Sequence, residues 1–339
     1  MIQFKHPQPN KAFGPIWPVF VPFAGCPHRC SFCSQLAQTG QTPIPLHRLA
    51  QSFFQSITER YNRTKAPIGL GFYGGTFTAI RQKDLLMMLK TASALKQAGA
   101  VNHIRCSTRP DYVSKSILRK LQAHQVDLIE LGVQSFDNNV LKKAGRGYSG
   151  RTAIKACQLI KESGFDLGIQ LMPGLPGCSG AIFLKDIRKT IQAEPALARI
   201  YPCLVLDNTE LKNMFCLGLF SPWSLAQTVH LVSLGLLSLW LAGISVIRIG
   251  LTPEKSLLDS IWAGPWDPGL GSKCRSLALR SYFTARIAAL GRPVKRVMLP
   301  EKCISDFWGH KRINERHFQR YSIIRKNVQI WNRDYFRVY

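Results

Sequence analysis

From residue 18 the chain alternates strand-like and helix-like segments, and that beat restricts the folds open to it. Apolar "PVFVPF" reads as a first strand, after which Leu46, Leu49, Phe53, Ile57 and Tyr61 recur at helical spacing. "PIGLGFYGGT" predicts a second strand ending in glycines, then a helix over 82–98 that stops at Gly99. "VNHIRCSTRPDY" gives a third strand with a helix over 114–124, and "VDLIELGVQSF" a fourth with a helix over 151–163. "FDLGIQLMPGLPG" and "ARIYPCLVL" are the fifth and sixth, and a helix over 224–240 closes the series. Strands apolar on both faces, each followed by a helix, predict a parallel sheet covered by helices. Six units fall short of the eight of a closed barrel. The expected fold class is therefore α/β, a partial (β/α)6 barrel with a C-terminal basic extension.

Ligands of such folds gather at the carboxyl ends of the strands, and the chemically unusual residues lie there. "VPFAGCPHRCSFCSQ" follows the first strand and places Cys26, Cys30 and Cys33 at spacings C-x3-C-x2-C. A zinc site wants four ligands, commonly in two CxxC-like pairs; no second pair exists, and His28 would have to serve as the fourth. A disulfide is disfavoured in a reducing compartment. Three thiolates at this spacing match a 4Fe-4S cluster with one iron left without a protein ligand, an open position of the kind that catalytic metal sites keep. The other seven cysteines are scattered singly and read as buried thiols. Gly74-Gly75-Thr76 follow the second strand, "STRPD" the third, "QSF" the fourth and "PGLPG" the fifth.

This set of motifs, in this order, resembles the radical S-adenosylmethionine (SAM) superfamily over residues 15–250. "ELGVQSFDNNVLKKAGRGYS", "MPGLPG" and "RIYPCLVLDNTEL" are similar to two of its branches. One holds the oxygen-independent coproporphyrinogen III oxidases, the other the Elongator catalytic subunit, toward which "STRPDY" leans. The stretch "VIRIGL…IWAGPWDPGLGS" resembles a bacterial offshoot of unassigned substrate. The resemblance implies a partial (β/α)6 radical SAM barrel in which Cys26, Cys30 and Cys33 are the metal ligands of a 4Fe-4S cluster. SAM would chelate the remaining iron and be cleaved to a 5′-deoxyadenosyl radical that abstracts hydrogen from substrate. Cofactor-binding residues would be Gly74, Gly75, Thr76, Ser107, Gln134, Arg146 and Gln170. The two glycines would open their backbone to the cofactor amino group, and Arg146 would pair with its carboxylate. Ser107 stands where relatives have a ribose-binding glutamate, and Gln170 where the coproporphyrinogen branch has an aspartate. Neutral hydrogen bonds from Ser107 and Gln170 would then have to serve the ribose. Asp111, Tyr112, Arg199 and Tyr201 sit at strand ends where substrate would arrive. No acyl-coenzyme A phosphate loop is visible after residue 250, so acetyl transfer is not carried over.

Charge bears on the substrate. The formal net charge is +26, and residues 271–339 hold 16 Lys and Arg against 4 Asp and Glu, with ten aromatic residues among them. Such a region suits RNA, tRNA above all, through phosphate neutralisation and base stacking; an ordinary solvated face is the other reading. The expected organisation is an N-terminal arm (1–14), a core domain (15–250) and a basic, aromatic-rich region (251–339). Residues 229–247 form 19 positions without formal charge, long enough for a membrane span. One helical face carries the apolar residues, however, and "ISVIRIGL" alternates like a strand, so a buried helix followed by a strand is expected, and no membrane. The opening "MIQFKHPQPNKAFG" has no apolar signal core, which points to the cytoplasm. Flavodoxin or ferredoxin would supply the electron. A radical enzyme acting on a small molecule, or a noncatalytic iron–sulfur electron-transfer protein, are the alternatives.

Overall fold

The computed structural model describes residues 1–9 and 14–339, so residues 10–13 of the expected arm lie outside the described ones. The core elements alternate as β1 (Ile16–Phe20), α1 (Leu46–Thr64), β2 (Ile68–Tyr73), α2 (Gln82–Gln97), β3 (Val101–Thr108), α3 (Lys115–Ala123) and β4 (Leu128–Gln134). They continue as α4 (Gly150–Glu162), β5 (Asp166–Leu171), α5 (Gly180–Ala193), β6 (Leu197–Ile200), α6 (Leu225–Leu241), β7 (Ser245–Ile249) and α7 (Leu270–Ala288). The seven strands pair in chain order, all parallel, and the sheet curls into a half-barrel. The six βα units are those read from the sequence, and β7 extends the sheet beyond them, with Arg199 of β6 in register with Arg248.

Local chemistry starts the helices where they start. Ser114, Ser149, Ser179 and Ser224 each accept a hydrogen bond from the backbone N–H three residues on, at the first turns of α3, α4, α5 and α6. Each cap of this kind is worth about 1 kcal/mol. The apolar helix α6 buries Val232, Leu236, Leu239 and Trp240 between α5 and α7. Among the described residues no helix is long and apolar enough to cross a membrane.

A second, smaller sheet brings the two ends of the chain together. Ile2–Lys5 runs antiparallel to Tyr335–Val338, which runs antiparallel to Val297–Pro300, and Val328–Trp331 completes it. Its core is aromatic: Phe283, Phe307, Phe318 and Phe336 are fully buried, with Phe4 stacked on Phe336 at 5.3 Å between centroids. Of the ten aromatic residues of 271–339, Tyr282, Phe283, Phe307, Phe318 and Phe336 are buried in this core and the other five are half-buried, because this sheet needs a hydrophobic face and takes it from the first five. The positive charge of the region remains at the surface.

Candidate active site

The cysteine loop and the glycine loop are built into one another. Thr76 N–H donates to Ala24 O at 2.7 Å, and Val21 N–H to Tyr73 O at 2.8 Å. Gly74 and Gly75 both have left-handed backbone, φ 76° and 59°. A Cβ on Gly75 would lie 2.7 Å from Val21 O and 2.9 Å from Ala24 N, so only glycine allows the two backbones to approach this closely. Gln35 staples the pair from the far side of the loop. Its buried side-chain oxygen accepts from Phe23 N–H at 2.6 Å and from Gly75 N–H at 2.8 Å. Its amide nitrogen sits 3.7 Å from Cys33 Sγ and 4.0 Å from Cys26 Sγ. In the sequence Gln35 is marked only as a polar residue just past the third cysteine, in a short helix (Gln35–Thr39).

Positive charge collects on the Cys30 sulfur. Arg146 is 5% exposed and donates from Nη1 to Cys30 Sγ at 3.1 Å, from Nη2 to Gly132 O at 2.6 Å and from Nε to the Tyr148 hydroxyl at 3.0 Å. Burial works against its charge, but the facing Tyr148 and Cys30 outweigh it and hold the guanidinium protonated. Arg109, clamped by both oxygens of Asp111, places Nη1 3.8 Å from the same sulfur. Burial, together with the neighbouring Cys30, pushes the Cys33 thiol up to about 12. All ten cysteines are unpaired. Among the described residues no three His, Cys, Asp or Glu side chains close around a single metal ion. His28 instead donates to Gly145 O at 2.7 Å. A donor set of three thiols beside two buried guanidinium groups and an amide suits an anionic thiolate-bound cluster, whose sulfurs need hydrogen-bond donors.

One cavity of roughly 470 Å³ joins these groups, a size usual for cofactor sites. Cys26, Cys30, Cys33, Gly74, Gly75, Ser107, Gln134, Arg146 and Gln170 all line it. Gln134 has left-handed backbone, φ 64°, a strain of about 1 kcal/mol for a residue with a Cβ, and Gln170 Nε2 donates to its side-chain oxygen at 3.5 Å. Thr76 is not on the cavity wall; it is fully buried behind the loop, its hydroxyl 3.4 Å from Cys26 Sγ. Of the strand-end residues, Arg199 and Tyr201 reach the cavity, while Asp111 and Tyr112 stand outside it.

The barrel interior also departs from the expected apolar strands. Glu130, 2% exposed, lies between Arg199 (Nε to Oε2, 2.6 Å) and Arg105 (Nε to Oε1, 3.5 Å), and Tyr73 donates to it at 3.3 Å. Gly71 makes room for the Tyr73 ring, against which a Cβ would lie at 2.6 Å. The signal for this group was one charged residue in each of two apolar runs, "HIRCST" and "LIELGV".

Comparison with known proteins agrees with this geometry. The Radical SAM superfamily model matches residues 20–187, and the Radical_SAM C-terminal domain model matches 195–276. A tRNA uridine(34) acetyltransferase of Methanocaldococcus infernus is 31% identical, over 62% of this chain and 47% of the relative. The heme chaperone HemW of Lactococcus lactis is 27% identical, over 61% of this chain and 52% of its own. The chain thus spans about half the length of the curated relatives it matches. In fold it is similar to the archaeal Elp3 of Methanocaldococcus infernus, with a TM-score of 0.60 and 24% identity, covering 81% of this chain and 64% of that one. The chain belongs to the radical SAM superfamily, in the branch that includes the Elp3-like tRNA uridine acetyltransferases and the HemW-like proteins.

Proposed function

We propose that this chain is a radical SAM enzyme acting on RNA, with tRNA as the favoured substrate. The observation that carries the reading is the single cavity in which Cys26, Cys30 and Cys33 meet Gly74, Gly75 and Arg146. The three cysteines would hold a 4Fe-4S cluster. When bound, the cluster supplies the electron that cleaves SAM to the 5′-deoxyadenosyl radical, which takes hydrogen from substrate.

The rest is the work of this chain's own residues. Gly74 and Gly75 leave backbone carbonyls open to the cofactor amino group. Arg146 uses three of its five N–H groups on Cys30, Gly132 and Tyr148, leaving two for a carboxylate. Ser107, Gln134 and Gln170 offer neutral hydrogen bonds to ribose hydroxyls, and Thr76 supports Cys26 from behind. Ten unpaired thiols suit the reducing cytoplasm, where a flavodoxin or ferredoxin would deliver the electron.

RNA is favoured by the formal net charge of +26 and by the tRNA-modifying relatives. Acetyl transfer is outside the proposal, since the match takes in less than half of those relatives.

The test is anaerobic reconstitution with iron and sulfide, followed by SAM and a strong reductant, reading 5′-deoxyadenosine. Wild type should form it and Cys30→Ala should not. Absence of cleavage by iron-loaded wild type would overturn the catalytic reading and leave an electron-transfer module. For the substrate, tRNA affinity should fall tenfold or more between about 50 and about 200 mM salt; a flat response would favour a small molecule.

A further inference from the structure

The interior of the half-barrel carries more positive charge than the cluster site uses. Arg105, Arg199 and Arg248 project from β3, β6 and β7 into the same cavity as the cysteines, and Glu130 is the one carboxylate on its wall. The three guanidinium groups therefore exceed their counter-charge by two. Arg105 is 4% exposed, yet its Nε and Nη1 find no hydrogen-bond partner among the described residues, and Glu130 faces it only as a distant ion pair at 3.5 Å. Arg199 is held more fully: its Nε stands 2.6 Å from Glu130, its Nη2 donates to Glu130 at 3.3 Å and to the Tyr73 hydroxyl at 3.2 Å, and its Nη1 donates to the Tyr201 hydroxyl at 2.9 Å. Arg248 is tied at its outer side, donating to Gly250 O at 3.2 Å and to the Thr252 hydroxyl. The same three arginines border a second opening of the barrel, beside Arg275.

A buried guanidinium with unpaired N–H groups, as at Arg105, is costly, and a fold keeps it where a ligand completes its bonding. The forked donors of the three arginines match the oxygens of a phosphate, and the excess of positive charge matches its negative charge. Tyr73 fixes the pair from one side, with its ring centroid 5.8 Å from Arg105 Cζ and 5.2 Å from Arg199 Cζ. We infer that Arg105, Arg199 and Arg248 form a phosphate subsite that seats a phosphate of the substrate inside the barrel, on the same cavity wall as the cysteine loop. The inference rests on this cavity being the reaction cavity, and it names the group by which substrate is held. Glu130 acts here as a positioning residue that keeps the two guanidinium groups apart and aimed.

The test uses the reconstituted full chain and measures binding of uridine 5′-monophosphate and of uridine by calorimetry, neither of which requires turnover. The monophosphate should bind tenfold or more tightly than the nucleoside. Arg105→Gln and Arg199→Gln should each remove most of that preference, and Glu130→Gln should enlarge it. Arg248→Gln, at a less buried position, should narrow the preference several-fold and serves if the buried variants do not fold. Equal binding of the two ligands by folded wild type would overturn the subsite, as would a preference that survives all the arginine changes in folded variants. Displacement of the monophosphate by tRNA-length RNA would assign the phosphate to RNA, and resistance to displacement would assign it to a free nucleotide; either outcome supports the subsite. Failure of SAM cleavage in wild type would strike the proposed function alone, since phosphate binding is read separately.

Discussion

Arg146 donates to the sulfur of Cys30 at 3.1 Å, although the two lie 116 residues apart in the chain. That contact joins the loop after β1 to the loop after β4, and the same guanidinium holds Gly132 O and the Tyr148 hydroxyl. Arg146→Met keeps much of the length and removes all three donors. The expected loss is about 2–4 kcal/mol of stability, from a buried carbonyl and hydroxyl stripped of charged partners. Urea unfolding of the iron-free protein measures it. A loss under about 0.5 kcal/mol would mean that the network contributes nothing to folding.

Gly75→Ala tests the close approach of the two loops. Gly164 is also left-handed, φ 81°, but a Cβ there meets nothing within 4 Å, so Gly164→Ala isolates the backbone term at about 1 kcal/mol. Gly75→Ala should lower the melting temperature clearly more than Gly164→Ala, because Val21 and Ala24 must also move. It should also bind less iron after reconstitution. Equal melting shifts would refute the steric account.

Gln35 offers a contrast between its two ends. Gln35→Ala leaves the Phe23 and Gly75 N–H groups without their acceptor and should cost about 2 kcal/mol. Gln35→Glu retains an acceptor for both but loses the amide donor near Cys26 and Cys33. Thermal melts should therefore rank wild type and Gln35→Glu together, above Gln35→Ala.

His6 makes the N-terminal strand acid-sensitive. Burial, then the neighbouring Lys302 and Arg275, push its imidazole down to about 4, and the ring packs edge-on against Trp240 at 5.0 Å. The folded state thus prefers neutral His6, while the unfolded chain takes up a proton near pH 6.5. The stability this group contributes is complete above that value and is lost as pH falls from about 6.5 toward 4, by roughly 2–3 kcal/mol in all. Unfolding free energies of wild type and His6→Gln, measured at pH 7 and at pH 5, should converge at the lower pH. A gap that stays constant would exclude the ring as the titrating group.

The sequence carried the βα order well because each unit is local: an apolar run, a glycine or serine stop, and a helical stripe lie within about 30 residues. It also carried the pairing of the cysteine and glycine loops, since parallel strands place their carboxyl ends along one rim. Glu130 was hidden because its meaning depends on Arg105 and Arg199, which the sheet brings in from separate strands. A single charge between Ile129 and Leu131 does not declare which partners it meets. The packing of aromatic residues in the C-terminal region was hidden for a related reason. Phe307, Phe318 and Phe336 share a core only after distant segments fold back, and composition alone cannot separate a packed ring from a stacking platform.

Strand Ile2–Lys5 zips onto Tyr335–Val338, so its pairing depends on a segment more than three hundred residues further along the chain. Closure of that clasp is the longest-range event in the fold, which makes it a slow step and leaves a bare strand edge exposed meanwhile.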